Sequence, residues 1–172
     1  MHGFKIAIAT KDKAPEDLIT MGTDIIASEP QSEMDDAEAS IIDYVDIFFD
    51  TTDNDVKQKS GSMLAKVEIR GNIPQAPELM KKFRKLSEWA HDRSAETTYR
   101  DICIAVKSAE NSFQVVYTLK NVFVVDYREI YKASAEEGSD RFELRLTQRD
   151  NNMDKIDIVS DWPTDWEWAR KG

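Results

Sequence analysis

Residues 99–148, the stretch that decides the fold, have the sequence YRDICIAVKSAENSFQVVYTLKNVFVVDYREIYKASAEEGSDRFELRLTQ. Apolar and polar side chains alternate in four segments of this stretch, which is the period of a half-buried β-strand. The segments are residues 99–107, 113–120, 121–131 and 141–148. Short polar loops, one of them with Gly138, separate the first pair and the last pair. We therefore predict four consecutive strands of a mainly β fold, arranged as a sandwich or barrel.

The third segment departs from simple alternation. Val122, Phe123, Val124 and Val125 are apolar on both parities, which predicts that this half of the strand is buried on both faces. In the first segment Cys103 lies on the parity opposite to its neighbouring isoleucines, and we interpret it as a structural thiol rather than a nucleophile.

Length and composition limit the class of protein. The 172 residues suit one domain, residues 1–172, with a core of its own. The net charge of −10 argues against nucleic acid as a partner, because phosphate binding needs clustered positive charge. The single cysteine excludes an intramolecular disulfide and a cysteine-rich zinc site.

The sequence shows no membrane or secretion signal. No segment approaches the roughly 18 apolar residues of a membrane span, so no membrane insertion is expected. The apolar run at the start is too short for a signal peptide and is followed at once by Lys11, Asp12 and Lys13. We expect synthesis for the cytoplasm, and export without a signal peptide stays open.

Outside the central stretch the pattern is mixed. Residues 1–40 form an irregular N-terminal part with an edge-like strand at residues 4–9 and a short strand at residues 24–27. Residues 41–49 suit a strand or a helix, and their β-branched and aromatic content favours a strand. Further predicted segments are a polar loop or hairpin arm at 50–61, a strand at 63–70, a strand at 153–160 and a tryptophan-rich tail at 161–172.

One helix is predicted, over residues 77–92. Leu79, Phe83, Leu86 and Ala90 form a single apolar stripe at helical spacing. Pro77 is placed where a first helical residue tolerates proline. The helix is therefore expected to have one apolar face.

No arrangement of residues predicts catalysis. His2 and His91 are far apart in sequence, and no phosphate loop or nucleophile motif is present. Asp126 and Glu129 are three residues apart along a strand, so they point to opposite faces and form no acid–base pair. We predict no enzyme, no catalytic residue and no cofactor.

Two acidic segments have the length of a calcium loop. Residues 50–61 do not fit, because Asp55 stands where the loop needs glycine and Gly61 where it needs glutamate. Asp150, Asn152, Asp154 and Asp161 have ligand spacing, but Lys155 replaces the glycine that the turn needs. A solvated acidic loop is the favoured interpretation, and we predict no metal site.

The order of elements resembles that of the tube proteins of contractile injection machines. These include the haemolysin-coregulated protein (Hcp) of type VI secretion and the tail-tube proteins of contractile phages. The resemblance covers residues 63–151 and comprises a strand ending at Gly71, an amphipathic helix with Trp89 near its end, and the strands that follow. Its most characteristic part is Phe123-Val-Val-Asp-Tyr127. The irregular first 40 residues and the tryptophan-rich end differ from the family's usual pattern.

The resemblance implies a β-barrel of two packed antiparallel sheets with one flanking helix. It also implies a structural subunit that closes into six-membered rings, which stack into a hollow tube driven outward by a sheath. The implied partners are other copies of this chain, together with sheath, spike or effector proteins.

Two segments are candidate subunit contacts. A polar hairpin arm can extend a neighbour's sheet, and exposed aromatic residues need burial on their own barrel or on a neighbour. The candidate interface residues are Asp53, Asn54, Asp55, Val56, Trp162, Trp166 and Trp168. Two other classes of protein remain open: a monomeric β-barrel that binds a ligand or a protein, and an enzyme such as a hydrolase.

Overall fold

The computed structural model describes residues 2–10, 19–21, 42–51, 63–75, 77–108, 114–149 and 156–160. Within these ranges the chain is mainly β with one α-helix, α1 (Pro77–His91), and a 3-10 turn at Ala135–Glu137. The strands are β1 (His2–Thr10), β2 (Ile19–Met21), β3 (Ile42–Thr51), β4 (Met63–Asn72), β5 (Arg100–Ser108), β6 (Gln114–Ile130), β7 (Arg141–Gln148) and β8 (Ile156–Val159).

All the described strands belong to one antiparallel sheet in the order β2-β1-β5-β6-β7-β4-β3. The short strand β8 pairs with the first half of β6, on the side opposite to β5 and therefore in line with β7. The sheet curls, since Cα atoms of β1 and β3 approach within 8 Å although the two strands lie far apart in the sheet order. The described part is thus a half-barrel.

The concave side of the sheet holds the main core. Phe83, Leu86 and Trp89 of α1 pack there against residues from both halves of the sheet. The predicted helix is confirmed, and its predicted stripe is confirmed as buried at Phe83 and Leu86. The rings of Phe83 and Phe142 meet edge to face with centroids 5.2 Å apart. Burial of this apolar area supplies the main stabilisation of the fold.

A second buried cluster lies on the other face of β1, β5 and β6. It consists of small side chains, Ala7, Cys103, Ala105 and Val116, each with no exposed surface. The sulfur of Cys103 lies 3.5 Å from the hydroxyl oxygen of Thr118. The interpretation of Cys103 as a buried structural thiol on the face opposite to Ile102 and Ile104 is confirmed.

The prediction of two strands between residues 113 and 131 is wrong, because β6 runs through this region without a turn. Asn121, in the middle of β6, has a left-handed φ of 53°. Its N–H donates a 3.0 Å hydrogen bond to Oδ1 of Asp101, and its carbonyl oxygen accepts a 2.8 Å bond from the N–H of Arg149. Both backbone groups are held by neighbouring segments, so the chain bends at Asn121 and continues.

The expected burial of residues 122–125 on both faces is also wrong, since the side chain of Val125 is 59% exposed. The register of β6 against β7 shifts between Val124 and Asp126, which is a bulge at Val125. The core-facing residues of β6 consequently change parity twice, from Leu119 to Val122 and from Val124 to Tyr127. These two changes of parity explain why apolar residues occur at both odd and even positions of β6.

The strands predicted outside residues 99–148 are confirmed in three of the five cases. The predicted strands in residues 41–49, 63–70 and 153–160 are confirmed as β3, β4 and β8. The edge-like first strand is wrong, because β1 lies between β2 and β5. Of the predicted arm 50–61, Asp50 and Thr51 belong to β3 and residues 52–61 lie outside the described residues. The predicted strand at residues 24–27 and the tail 161–172 also lie outside them, as do Asp150, Asn152, Asp154 and Asp161.

Candidate assembly surface

Strand β3 forms one end of the sheet. Its ten residues pair with β4 from Ile42 opposite Gly71 to Thr51 opposite Met63. Among the described strands, none pairs with the other side of β3. We call that side, from Tyr44 to Asp50, the β3 edge. A strand of this length with an open edge can accept another strand through its backbone N–H and C=O groups.

The β3 edge carries exposed aromatic side chains. The exposed fractions are 40% for Tyr44, 42% for Phe48 and 39% for Phe49. The register places Tyr44 and Phe48 on the convex face, opposite Arg70 and Lys66, whereas Phe49 lies on the core face opposite Ala65. Aromatic side chains therefore border the edge on both faces, which is typical of a surface that is covered in an assembly.

Two cations from β4 lie over these rings. The guanidinium carbon of Arg70 is 4.8 Å from the ring centroid of Tyr44, and Nζ of Lys66 is 5.9 Å from that of Phe48. Lys66 also bonds Asp50 at 2.5 Å. A hydrogen bond to Glu68 raises the pKa of Arg70 above its ordinary value, so this cation persists at every relevant pH. A positively charged side chain therefore lies over the ring of Tyr44 and another over the ring of Phe48, in the geometry of a cation–π contact.

Opposite charges alternate across the convex face beside this edge. Arg145 lies 3.8 Å from Glu68 and 3.9 Å from Asp126, and Arg128 lies 3.8 Å from Glu143. Arg141 makes a bidentate contact with Asp43, in which Nη2 is 3.0 Å from Oδ1. These pairs are solvent-accessible, so each contributes at most about 1 kcal/mol to stability. Their main effect is to keep the convex face polar.

A tyrosine–glutamate cluster lies at the C-terminal end of β6. The hydroxyls of Tyr127 and Tyr131 donate hydrogen bonds of 2.5 and 2.6 Å to the two carboxylate oxygens of Glu129. Burial, together with the hydrogen bond to Glu129, raises the pKa of Tyr127 well above its ordinary value of 10.0. The cluster thus joins Tyr127, Glu129 and Tyr131 through one carboxylate, and Tyr127 also contacts Ser87 of α1.

The two carboxylates that the sequence analysis rejected as an acid–base pair are separated in the structure. Asp126 pairs with Arg145 on the convex face and Glu129 lies opposite Phe142 on the core face, which confirms that the two carboxylates point apart. Nδ1 of His91 lies 2.7 Å from the carbonyl oxygen of Ser87 at the end of α1. In the ranges that the structure describes, no three His, Cys, Asp or Glu side chains group as metal ligands.

The predicted interface residues are not among the described ones. Asp53, Asn54, Asp55 and Val56 lie between β3 and β4, and Trp162, Trp166 and Trp168 follow β8. Sequence reasoning missed the aromatic residues of β3 itself. Their signal was present as apolar residues on both parities of residues 44–49, which a strand buried on one face does not need. Among the described residues, no helix is long and apolar enough to cross a membrane.

Comparisons with known proteins give matches among solved structures alone. No family model and no curated protein matches the sequence. A chain of the anti-feeding prophage baseplate is 11% identical, with 93% of this chain and 94% of that chain covered and a TM-score of 0.46. The secreted protein Hcp3 from Pseudomonas aeruginosa is 14% identical, with 95% and 100% covered and a TM-score of 0.46.

A third similar structure is a chain of the sheath–tube complex of an extracellular contractile injection system in the extended state. It is 12% identical, with 92% of this chain and 88% of that chain covered and a TM-score of 0.44. Hcp proteins and chains of contractile injection systems are thus among the solved structures similar to this chain.

Proposed function

We propose that this protein is a structural subunit that assembles into six-membered rings, which stack into the hollow tube of a contractile injection machine. The observation that carries the proposal is the β3 edge, the side of the ten-residue strand β3 that pairs with no described strand and has Tyr44, Phe48 and Phe49 exposed along it. Soluble proteins normally protect such an edge, because it pairs with other chains. A subunit whose work is assembly uses the same edge as its interface.

The geometry of the edge suits a ring. The β3 edge lies at one end of the sheet, and the opposite side of the subunit presents different strands. A contact between two unlike surfaces is head-to-tail. Such contacts close into a ring when the rotation from one subunit to the next is a whole-number fraction of a full turn. Six copies is the number that the sequence resemblance implies. In the assembled subunit we expect the half-barrel to be completed as a barrel of two packed antiparallel sheets.

The segments predicted as interface from the sequence have roles in this proposal. Residues 52–62 join the paired ends Thr51 and Met63 of the β3–β4 hairpin, so Asp53 to Val56 reach a neighbouring subunit beyond the sheet. Trp162, Trp166 and Trp168 bury their rings on another copy. The completed tube contacts sheath and spike proteins, carries effectors, and leaves the cell as part of the machine.

The mass of the purified protein in solution tests the proposal. Light scattering after size exclusion, at several concentrations, should give a mass six times the 19.7 kDa of one chain. Negative-stain images of the same fractions should show rings with a central hole. A strict monomer at the highest concentration would overturn the proposal and favour the alternative of a monomeric binding barrel.

A further inference from the structure

Nearly every charged side chain on the described strands has a partner of opposite charge or a hydrogen bond. The strand cations whose side chains the structure describes each lie at 3.9 Å or less from a carboxylate oxygen, and they are Lys66, Arg70, Arg100, Lys120, Arg128, Arg141 and Arg145. Among the acids described on the same strands, Asp46 alone has neither a cation nor a hydrogen-bond donor as its partner. Asp46 is therefore the acid of these strands that remains to be neutralised.

Asp46 lies in the middle of the β3 edge, on the convex face and opposite Glu68. The neighbouring cations of β4 are engaged elsewhere. Arg70 pairs with Glu68, and Lys66 pairs with Asp50. A carboxylate that loses its water in an interface needs a compensating cation, because an unpaired buried charge is costly. If a second copy covers the β3 edge, that copy must supply the cation.

Helix α1 carries two adjacent cations that are available. Arg84 and Lys85 are exposed, whereas Phe83 and Leu86 on either side of them are buried in the core. In the part of the chain that the structure describes, neither cation takes part in an ion pair. Helix α1 lies on the concave side of the sheet and Asp46 on the convex face, so the two charges are separated within one chain.

We propose that Arg84 of one copy pairs with Asp46 of the next copy, so that the exposed face of α1 covers the β3 edge of its neighbour. This inference rests on the self-assembly of the proposed function and names the two surfaces that meet. The guanidinium of Arg84 matches the carboxylate of Asp46 with two parallel donors, and Lys85 donates to the open carbonyl oxygens of the edge. The two surfaces are unlike, so the contact is head-to-tail, as a ring requires.

Exchanging the two charges tests the contact. Asp46→Arg places like charges together in every contact, and so does Arg84→Asp. Each variant alone should weaken self-association by about 10- to 100-fold in dissociation constant, measured by sedimentation over a concentration series. The milder Asp46→Asn removes the charge without reversing it and should also weaken association, by about tenfold.

Arg93→Asp is the matched control. Arg93 is an exposed cation just beyond the end of α1, so the substitution changes the net charge by the same amount as Arg84→Asp. It should leave the dissociation constant within about threefold of the parent. Equal weakening by Arg84→Asp and Arg93→Asp would overturn the inference, because the effect would then follow net charge rather than position.

A mixture of the two reversed variants gives the sharpest test. The Asp46→Arg protein is basic at both positions of the contact, and the Arg84→Asp protein is acidic at both. When the two proteins alternate around a ring, opposite charges meet at every contact. An equal mixture should therefore associate within about fivefold of the parent, although neither variant does so alone. No recovery in the mixture would overturn the inference.

A single chain with both substitutions should recover as well, because the pair is then reversed in every contact. Recovery in this chain but not in the mixture would place the pair within one copy and contradict the inference. Light scattering on the unmodified protein reports assembly independently. Parent rings that Asp46→Arg and Arg84→Asp leave intact would preserve the proposed function and refute this contact, whereas a strictly monomeric parent would refute both.

Discussion

The indole nitrogen of Trp89 donates a 2.8 Å hydrogen bond to the carbonyl oxygen of Thr98. Trp89 is 1% exposed at the end of α1, and Thr98 lies just before β5. The guanidinium carbon of Arg100 lies 5.2 Å from the Trp89 ring centroid, and Arg100 approaches Asp92 at 3.7 Å. One side chain therefore joins the helix, the connection and the central part of the sheet.

Replacing Trp89 with Phe should lower the free energy of unfolding by about 2–4 kcal/mol. The variant keeps an aromatic ring but leaves the Thr98 carbonyl without its indole donor and a gap in the core. Urea denaturation measures the change. Tyr131→Phe is the control, because it removes a hydrogen bond from a ring that is 64% exposed and should change stability by less than about 0.5 kcal/mol. Similar losses in both variants would contradict the structural role of Trp89.

Local sequence patterns predicted the elements whose period is unbroken. The apolar stripe of α1 and the alternation of β4, β5 and β7 each match the structure closely. In β6 the pattern failed, because the left-handed Asn121 and the bulge at Val125 change which parity faces the core. Each change depends on partners far away in the chain, such as Asp101 and β7, so no local rule could place them.

The candidate surface was predicted only in outline. The composition of residues 41–49 predicts a strand, yet the sequence does not say which strand ends the sheet. That position follows from distant pairings, such as β1 with β5 and Asp43 with Arg141, which are 98 residues apart. Exposure of Tyr44 and Phe48 follows from the edge position and needs the three-dimensional strand order.

The left-handed backbone at Asn121 gives a second prediction. Valine is β-branched and strongly disfavours a φ of 53°, whereas glycine adopts it freely. Asn121→Val should therefore be more destabilising than Asn121→Gly by about 1–3 kcal/mol, measured by urea denaturation. If the two variants were equally stable, β6 would not pass through a left-handed residue at this position.

The tyrosine–glutamate cluster gives a dependence of stability on pH. Burial and Glu129 raise the pKa of Tyr127 above the value of 10.0 that it has in the unfolded chain. The native state therefore holds the hydroxyl proton more tightly, and its stabilising contribution, complete below pH 10, is lost as the pH rises from there towards the folded pKa.

Above pH 10 the unfolding free energy of the parent protein should fall as pH rises, and that of Tyr127→Phe should fall less steeply. Denaturation at a series of alkaline pH values measures both slopes. Tyr127→Phe also loses its bond to Glu129, so the slopes and not the absolute stabilities carry the comparison. Parallel slopes would show that Tyr127 ionises alike in the folded and unfolded chains.

The β3 edge gives the last prediction. Tyr44 and Tyr131 are both exposed tyrosines, but Tyr44 borders the edge under the Arg70 guanidinium and Tyr131 lies just beyond the end of β6. Tyr44→Ser should weaken self-association by about 2 kcal/mol, or about 30-fold in dissociation constant, because it removes an aromatic contact from the interface. Tyr131→Ser makes the same chemical change away from the edge and should leave association within about two- to threefold of the parent. Sedimentation over a concentration series measures both, and equal effects of the two substitutions would exclude the β3 edge as the subunit contact.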